Sequence, residues 1–139
     1  MKNTLIIFAV LLSMIWTAGA FADVKEGLWE ITSQVELKGM PESTPPNTVR
    51  QCITKNDPVP RSKDKNYDCK TIAHKISGNT VIYNVECKGK EGVMETSGTT
   101  TYSDNSMKGT STIKVKMKGQ PEIQMVSNIK GKYLGKCNQ

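Results

Sequence analysis

Histidine occurs once, at His74, in a chain of 139 residues, and that scarcity removes whole classes of chemistry. A two-histidine metal site cannot be built, and one candidate general base remains. No acid–histidine–nucleophile set has a recognisable spacing, and no Gly-x-Ser-x-Gly elbow occurs. Cysteine pairs of the C-x-x-C type are missing, which argues against a zinc site. Methionines never fall at M-x-M or M-x-x-M spacing, so a thioether copper site has no sequence support, and methionine reads as adaptable core filler. Aromatic residues are only 6% of the chain, too few for a large aromatic core. The single apolar run is short of the ~20 residues that cross a bilayer as a helix.

That run sits at the start. Lys2 forms a positive n-region, Leu5 to Trp16 an apolar h-region, and Ala20-Phe21-Ala22 a small-x-small cleavage site. Residues 1–22 are therefore expected to be a signal peptide, and residues 23–139 a single domain. With no cysteine at the cleavage site, a lipoprotein is not expected; the expected location is the periplasm. Both Phe and one Trp leave with the leader, so the mature aromatics are Trp29, Tyr67, Tyr83, Tyr102 and Tyr133. All four cysteines (Cys52, Cys69, Cys87, Cys137) remain, and an even count in an oxidising compartment predicts two disulfides. Eighteen basic against 13 acidic side chains leave a mature net charge of +5, which permits an anionic partner without requiring one.

The rest of the chain alternates. Trp29, Ile31, Val35 and Leu37 interleave with Glu30, Thr32, Gln34 and Glu36, the period-two pattern of a strand with one face to a core. KGMPESTPPN is a loop, TVRQCIT at Thr48 to Thr54 a second strand, and KNDPVPRSKDKNYD another loop, with room for one helical turn at Asn56 or Asp57. From Cys69 to Cys87 runs a hairpin. A two-residue Gly78-Asn79 turn pairs Ile76 with Val81, His74 with Tyr83 and Ile72 with Val85. Strands from Val93 to Tyr102, Met107 to Lys118 and Glu122 to Gly131 follow. A three-residue Gly119-Gln120-Pro121 loop sets Met117 against Ile123, Val115 against Met125 and Lys118 against Glu122.

These turns place Val81, Tyr83, Val85, Cys87, Met94, Thr96, Tyr102, Ile113, Val115, Met117, Ile123, Met125, Ile129, Tyr133 and Cys137 on one inward face. By the same parity Cys52 and Cys69 face outward, which favours Cys52–Cys69 and Cys87–Cys137 among three connectivities. The expected fold is all-β: an antiparallel meander of about seven strands curved strongly or closed into a barrel.

GLWEIT at Gly27 to Thr32, TVRQCIT at Thr48 to Thr54, GNTVIYNVECKG at Gly78 to Gly89, TYSDNSMKG at Thr101 to Gly109 and GKYLGKC at Gly131 to Cys137 together resemble the bacterial domain-of-unknown-function 3617 family. The resemblance spans almost the whole mature chain. It implies a short exported protein of Gram-negative bacteria with no established activity, so no catalytic residues carry over, and Trp29 and the four cysteines become structural. Gly27-Leu28-Trp29 on a first strand also resembles the start of lipocalin-type barrels.

Function is the least constrained. His74 reads as a packed or hydrogen-bonded strand residue, and enzyme activity is not expected. Thr96, Gly98, Thr100, Gly109, Ser111 and Ser127 are small inward positions, and such an interior can enclose a ligand. The expectation is a non-enzymatic periplasmic protein binding a small apolar or amphipathic ligand, or an envelope component, on its concave face. Candidate contacts are Trp29, Tyr83, Tyr102, Met94, Met117 and Met125. The alternative is an interaction module docking through the basic Lys114, Lys116 and Lys118 stripe, whose bland explanation is edge protection. No cofactor, metal or nucleic acid is expected, since the outward face lacks aromatics to stack bases.

Overall fold

The computed structural model describes residues 23–40, 44–61 and 64–138, so the expected leader at 1–22 lies outside the described residues. Seven strands form one antiparallel sheet: β1 (Gly27–Leu37), β2 (Asn47–Ile53), β3 (Tyr67–Ser77), β4 (Thr80–Gly89), β5 (Gly92–Tyr102), β6 (Ser106–Met117) and β7 (Ile123–Gly135). Their order across the sheet is β2-β1-β7-β6-β5-β4-β3. Each consecutive pair is a neighbour except β2 and β3, and β1 also pairs with β7 from Leu28↔Gly135 to Leu37↔Met125. First and last strands are thus joined, and the meander curls into a half-barrel that is open between β2 and β3. No helical turn forms at Asn56 or Asp57; that stretch is a bend held by Asp57 N–H donating to the Thr54 hydroxyl (3.0 Å).

The expected inward set lies on the concave face, with Cys137 as the exception. Val81, Tyr83, Val85 and Cys87 alternate as buried with exposed or half-buried neighbours along β4. The alternation is the reason for the strand: one face meets the core and the other meets water. Gly78 has φ +61° while Asn79 keeps a negative φ, as a type II′ turn has, and Ile76↔Val81 and His74↔Tyr83 pair as expected.

Beyond Ala73 the register shifts. Thr71, not Ile72, opposes Val85, and Cys69 falls directly opposite Cys87. Ile72 is the extra residue of a β-bulge, 62% exposed. A bulge inserts one residue in one strand only, so every side chain beyond it changes face. A second shift does the same in β7: Trp29 opposes Tyr133 but Leu28 opposes Gly135, leaving Leu134 extra. Cys69 therefore turns inward and Cys137 outward. The disulfides are Cys69–Cys87 and Cys52–Cys137, which corrects the expected Cys52–Cys69 and Cys87–Cys137.

A further correction concerns the β6–β7 turn. Val115 pairs with Ile123 and Ile113 with Met125, two residues away from the expected register. Gln120 N–H bonds the Met117 carbonyl (3.2 Å), and Pro121 has no N–H for the ladder, so pairing starts at Ile123. A slip of two preserves the face, which is why Val115, Ile123 and Met125 keep the concave side despite it.

One end of the half-barrel is solid. Trp29, fully buried, meets Tyr102 and Tyr133 edge to face, both at 5.4 Å between ring centroids. Its indole N–H donates to the Lys25 carbonyl (3.0 Å), and the Lys25 ammonium caps the Tyr133 ring at 4.0 Å. Ile31, Ile53, Val81 and Met107 complete this core.

Disulfide mapping under non-reducing conditions is expected to recover Cys52–Cys137 and Cys69–Cys87. The first bridges residues 85 apart and the second residues 18 apart. On the loop-entropy relation, their removal should cost about 4.6 and about 3.2 kcal/mol. Urea unfolding of the two double-serine variants checks the ranking: Cys52→Ser/Cys137→Ser should be the less stable.

Candidate functional site: a cavity under the concave face

The open flank between β2 and β3 is crossed by the chain that links them. In this polar loop Pro58, Val59 and Pro60 are buried, Val59 completely. Their carbonyls and amides need partners once out of water. The Tyr102 hydroxyl donates to the Pro58 carbonyl (2.7 Å). The Gln51 side chain, opposite Trp29 on the concave side, donates to the Val59 carbonyl and accepts from Arg61 N–H, both at 2.9 Å. One amide side chain thus does for the loop what a neighbouring strand would do. Burying Val59 alone contributes about 1.5–3 kcal/mol.

The Pro58-Val59 part of the loop covers the packed end. Past it lies a cavity of about 120 Å³ between the concave face and Pro60, Arg61 and Asp64. Ile31, Val35, Val49, Val85, Ile113, Ile129 and Met94 supply apolar walls, and Cys69 and Cys87 line it as well. Ser33, Thr96, Ser111 and Ser127 add hydroxyls.

The hollow follows from one row across the sheet. Tyr83, Gly98, Ser111, Ser127 and Val35 oppose one another in turn from β4 to β1. Three successive small residues leave the middle of the row empty. The Tyr83 ring leans into that space: a Cβ on Gly98 would stand 2.6 Å from its Cζ and Oη. Gly131 is filled similarly by Met107, and Gly109 lies against Thr100. Of the six small inward positions, therefore, the three at Thr96, Ser111 and Ser127 line the cavity.

Tyr83 is 2% exposed, and its hydroxyl has no hydrogen-bond partner within the protein. Burial pushes this phenol above its ordinary pKa, while the Thr100 and Ser111 hydroxyls, close by but off hydrogen-bond geometry, pull weakly the other way. Burial raises the Tyr102 phenol further, with smaller contributions from Tyr83 and Asp57.

Of the expected ligand contacts, Tyr83 and Met94 line the cavity. Trp29 and Tyr102 belong to the solid end, sealed off as core. Met117 opposes Gly92, and Met125 opposes Ile113, so the two methionines sit apart and neither borders the hollow. Arg61 and Asp64 at the mouth had no sequence signal of their own. The run Pro58-Val59-Pro60, three apolar residues inside a polar loop, was the signal that this loop turns inward.

Outside, Lys114, Lys116 and Lys118 are exposed on the convex face. Lys116 pairs with Glu95 (3.4 Å) and Glu122 (3.8 Å). His74 is exposed on the edge strand. Among the described residues no group of three or more His, Cys, Asp or Glu side chains could hold a metal ion, and no helix is long and apolar enough to cross a membrane.

The family model described as "Protein of unknown function (DUF3617)" matches residues 24–137. The chain belongs to this family. The match takes in all seven strands, both disulfides and the cavity. No curated protein and no solved structure matches the chain.

Two measurements check this geometry. Gly98→Ala should destabilise by ~1–3 kcal/mol through overpacking. In a Tyr83→Ala background only part of that cost should vanish, because the same Cβ also stands 2.7 Å from Ser111 Cβ; the coupling is read by a double-mutant cycle in urea. Separately, both buried phenols have folded pKa values above their unfolded ones, so the folded state holds more protons above pH ~10. Stability should be level below that pH and fall as pH rises through it, and Tyr102→Phe should flatten the fall.

Proposed function

We propose that this protein is a non-enzymatic, exported binding protein whose concave cavity takes a small apolar or amphipathic ligand. The observation that carries the reading is the cavity itself: apolar walls with a few hydroxyls among them. A concave, mostly apolar hollow with a small number of polar groups is the usual form of a small-molecule site. The apolar leader and the two disulfides support export to an oxidising compartment such as the periplasm.

The size limits the occupant. An apolar cavity of roughly 150 Å³ admits benzene or xenon, so about 120 Å³ suits one ring or a short acyl segment. Benzene followed by methyl-region NMR should give saturable shifts at Val85, Met94, Ile113 and Ile129. Ser127→Leu fills the hollow and should weaken benzene by at least about tenfold, with urea unfolding used to check that the variant folds and that any loss of stability stays within the ~1–3 kcal/mol of a small-to-large change. Shifts that never saturate, or that survive Ser127→Leu, would count against the cavity as a binding site.

A second reading rests on the convex face. Lys108 and Lys130 stand directly opposite on β6 and β7, and neither makes an ion pair among the described residues. Like charges in that position repel, and an anionic partner would relieve the repulsion. Lys130→Glu should stabilise the free protein by about 0.2–1 kcal/mol. If this face docks an anionic envelope component, the same change should abolish salt-sensitive binding to phosphatidylglycerol vesicles, read by sedimentation.

A further inference from the structure

We infer that the cross-strand pair Lys108 and Lys130 is a binding site for a phosphomonoester carried on a lipid surface. The inference rests on the basic-face reading above and adds the headgroup and the residues that read it. Six strands contribute one row to the convex face: Thr80, Thr101, Lys108, Lys130, Thr32 and Thr48 stand opposite one another in turn from β4 to β2. The outer pairs are closed by hydroxyl–hydroxyl hydrogen bonds, Thr80–Thr101 at 3.0 Å and Thr32–Thr48 at 2.9 Å. The two lysines between them are exposed, and neither makes an ion pair among the described residues. On one side the adjoining row of Ile82, Thr99, Thr110, Asn128 and Gln34 is uncharged. On the other stand Ser106, Lys132, Glu30 and Arg50, and Glu30, the one carboxylate of that row, is held by Arg50 at 3.5 Å. Elsewhere on this face acidic groups answer the lysines: Glu95 and Glu122 pair with Lys116, Glu86 pairs with Lys88, and Glu95 stands opposite Lys114.

This arrangement sets the charge of the ligand. Residues directly opposite on antiparallel strands hold their Cβ atoms about 5 Å apart, so two lysine stems can bring both ammoniums to one small anion. A singly charged phosphodiester answers one of the two. A phosphomonoester, with a charge of about −1.5 to −2 at pH 7 and three acceptor oxygens, answers both. Either threonine of each outer pair can be the donor, so Thr101 and Thr32 can turn their hydroxyl hydrogens toward the same anion. The shallow, exposed position decides the source. An ion pair in water contributes little by itself, whereas a lipid surface offers neighbouring phosphates to Lys132 and the rest of the face at high effective concentration.

Two lipids separate a monoester from a diester: phosphatidic acid and phosphatidylglycerol, each in phosphatidylcholine vesicles matched in zeta potential and sedimented with the intact folded protein. A face that senses charge alone binds the matched vesicles equally. Here phosphatidic acid is expected to bind at least about fivefold more tightly. Lys108→Gln should bring the two lipids within about twofold of each other, whereas Lys118→Gln, which removes the same charge beyond the far end of β6, should leave the preference intact. Soluble glycerol phosphate, the same monoester without a bilayer, should give no saturable NMR shift at Lys108 or Lys130 in the micromolar range. Equal affinity for the two lipids, or a preference that survives Lys108→Gln, overturns the inference and leaves the basic-face reading standing. Saturable micromolar binding of glycerol phosphate overturns the assignment to a membrane. Binding to neither vesicle overturns both the inference and the reading beneath it.

Discussion

Everything in this molecule is conditioned by the pairing of its first strand with its last. A meander from β3 to β7 alone would be an open twisted sheet with water on both faces, and a chain this poor in aromatics could not bury enough to hold it. Joining β1 to β7 along ten residue pairs turns the sheet back on itself and brings Trp29 onto Tyr102 and Tyr133. Closure from the other side is not reached. β2 and β3 stay apart, so the loop between them must cross the gap, and Gln51 and Tyr102 give its backbone the hydrogen bonds that a strand would have given. The packed end and the hollow both follow from that geometry, one beneath Pro58 and Val59 and the other bounded by Pro60, Arg61 and Asp64 of the same loop.

The disulfides show how little backbone it takes to redirect covalent structure. One additional residue at Ile72 and one at Leu134 exchange the partners of all four cysteines. With both bulges straightened, Cys69 would look outward and Cys137 inward. The bonds that form instead each join neighbouring regions of the sheet: one fastens the edge hairpin β3–β4, and the other ties β2 to the chain leaving β7. Both free flanks of the half-barrel are therefore stapled where the hydrogen-bond ladder ends.

The cavity has a comparably local origin. Small residues facing a core are ambiguous, because a neighbour can fill the vacancy as easily as leave it. Tyr83 over Gly98 and Met107 over Gly131 are filled vacancies, whereas Ser111 and Ser127 are neighbours of each other, and neither can fill the other's space. Their adjacency across β6 and β7, rather than their size, makes the hollow.

The sequence by itself determined the elements. Alternation of apolar and polar residues is a property of neighbours in the chain, so the seven strands, the turn at Gly78-Asn79, and the concave faces of β4 to β6 were all legible there. Tyr83 and Met94 were legible as inward-facing for the same reason. The tertiary structure alone decided where a strand bulges, which small residues become adjacent, and whether an aromatic such as Trp29 lines a hollow or closes a core. A bulge changes the count of residues between two partners without changing either strand's composition, and adjacency across strands depends on register. Neither is written in the spacing of one strand, and both had to wait for the strands to meet.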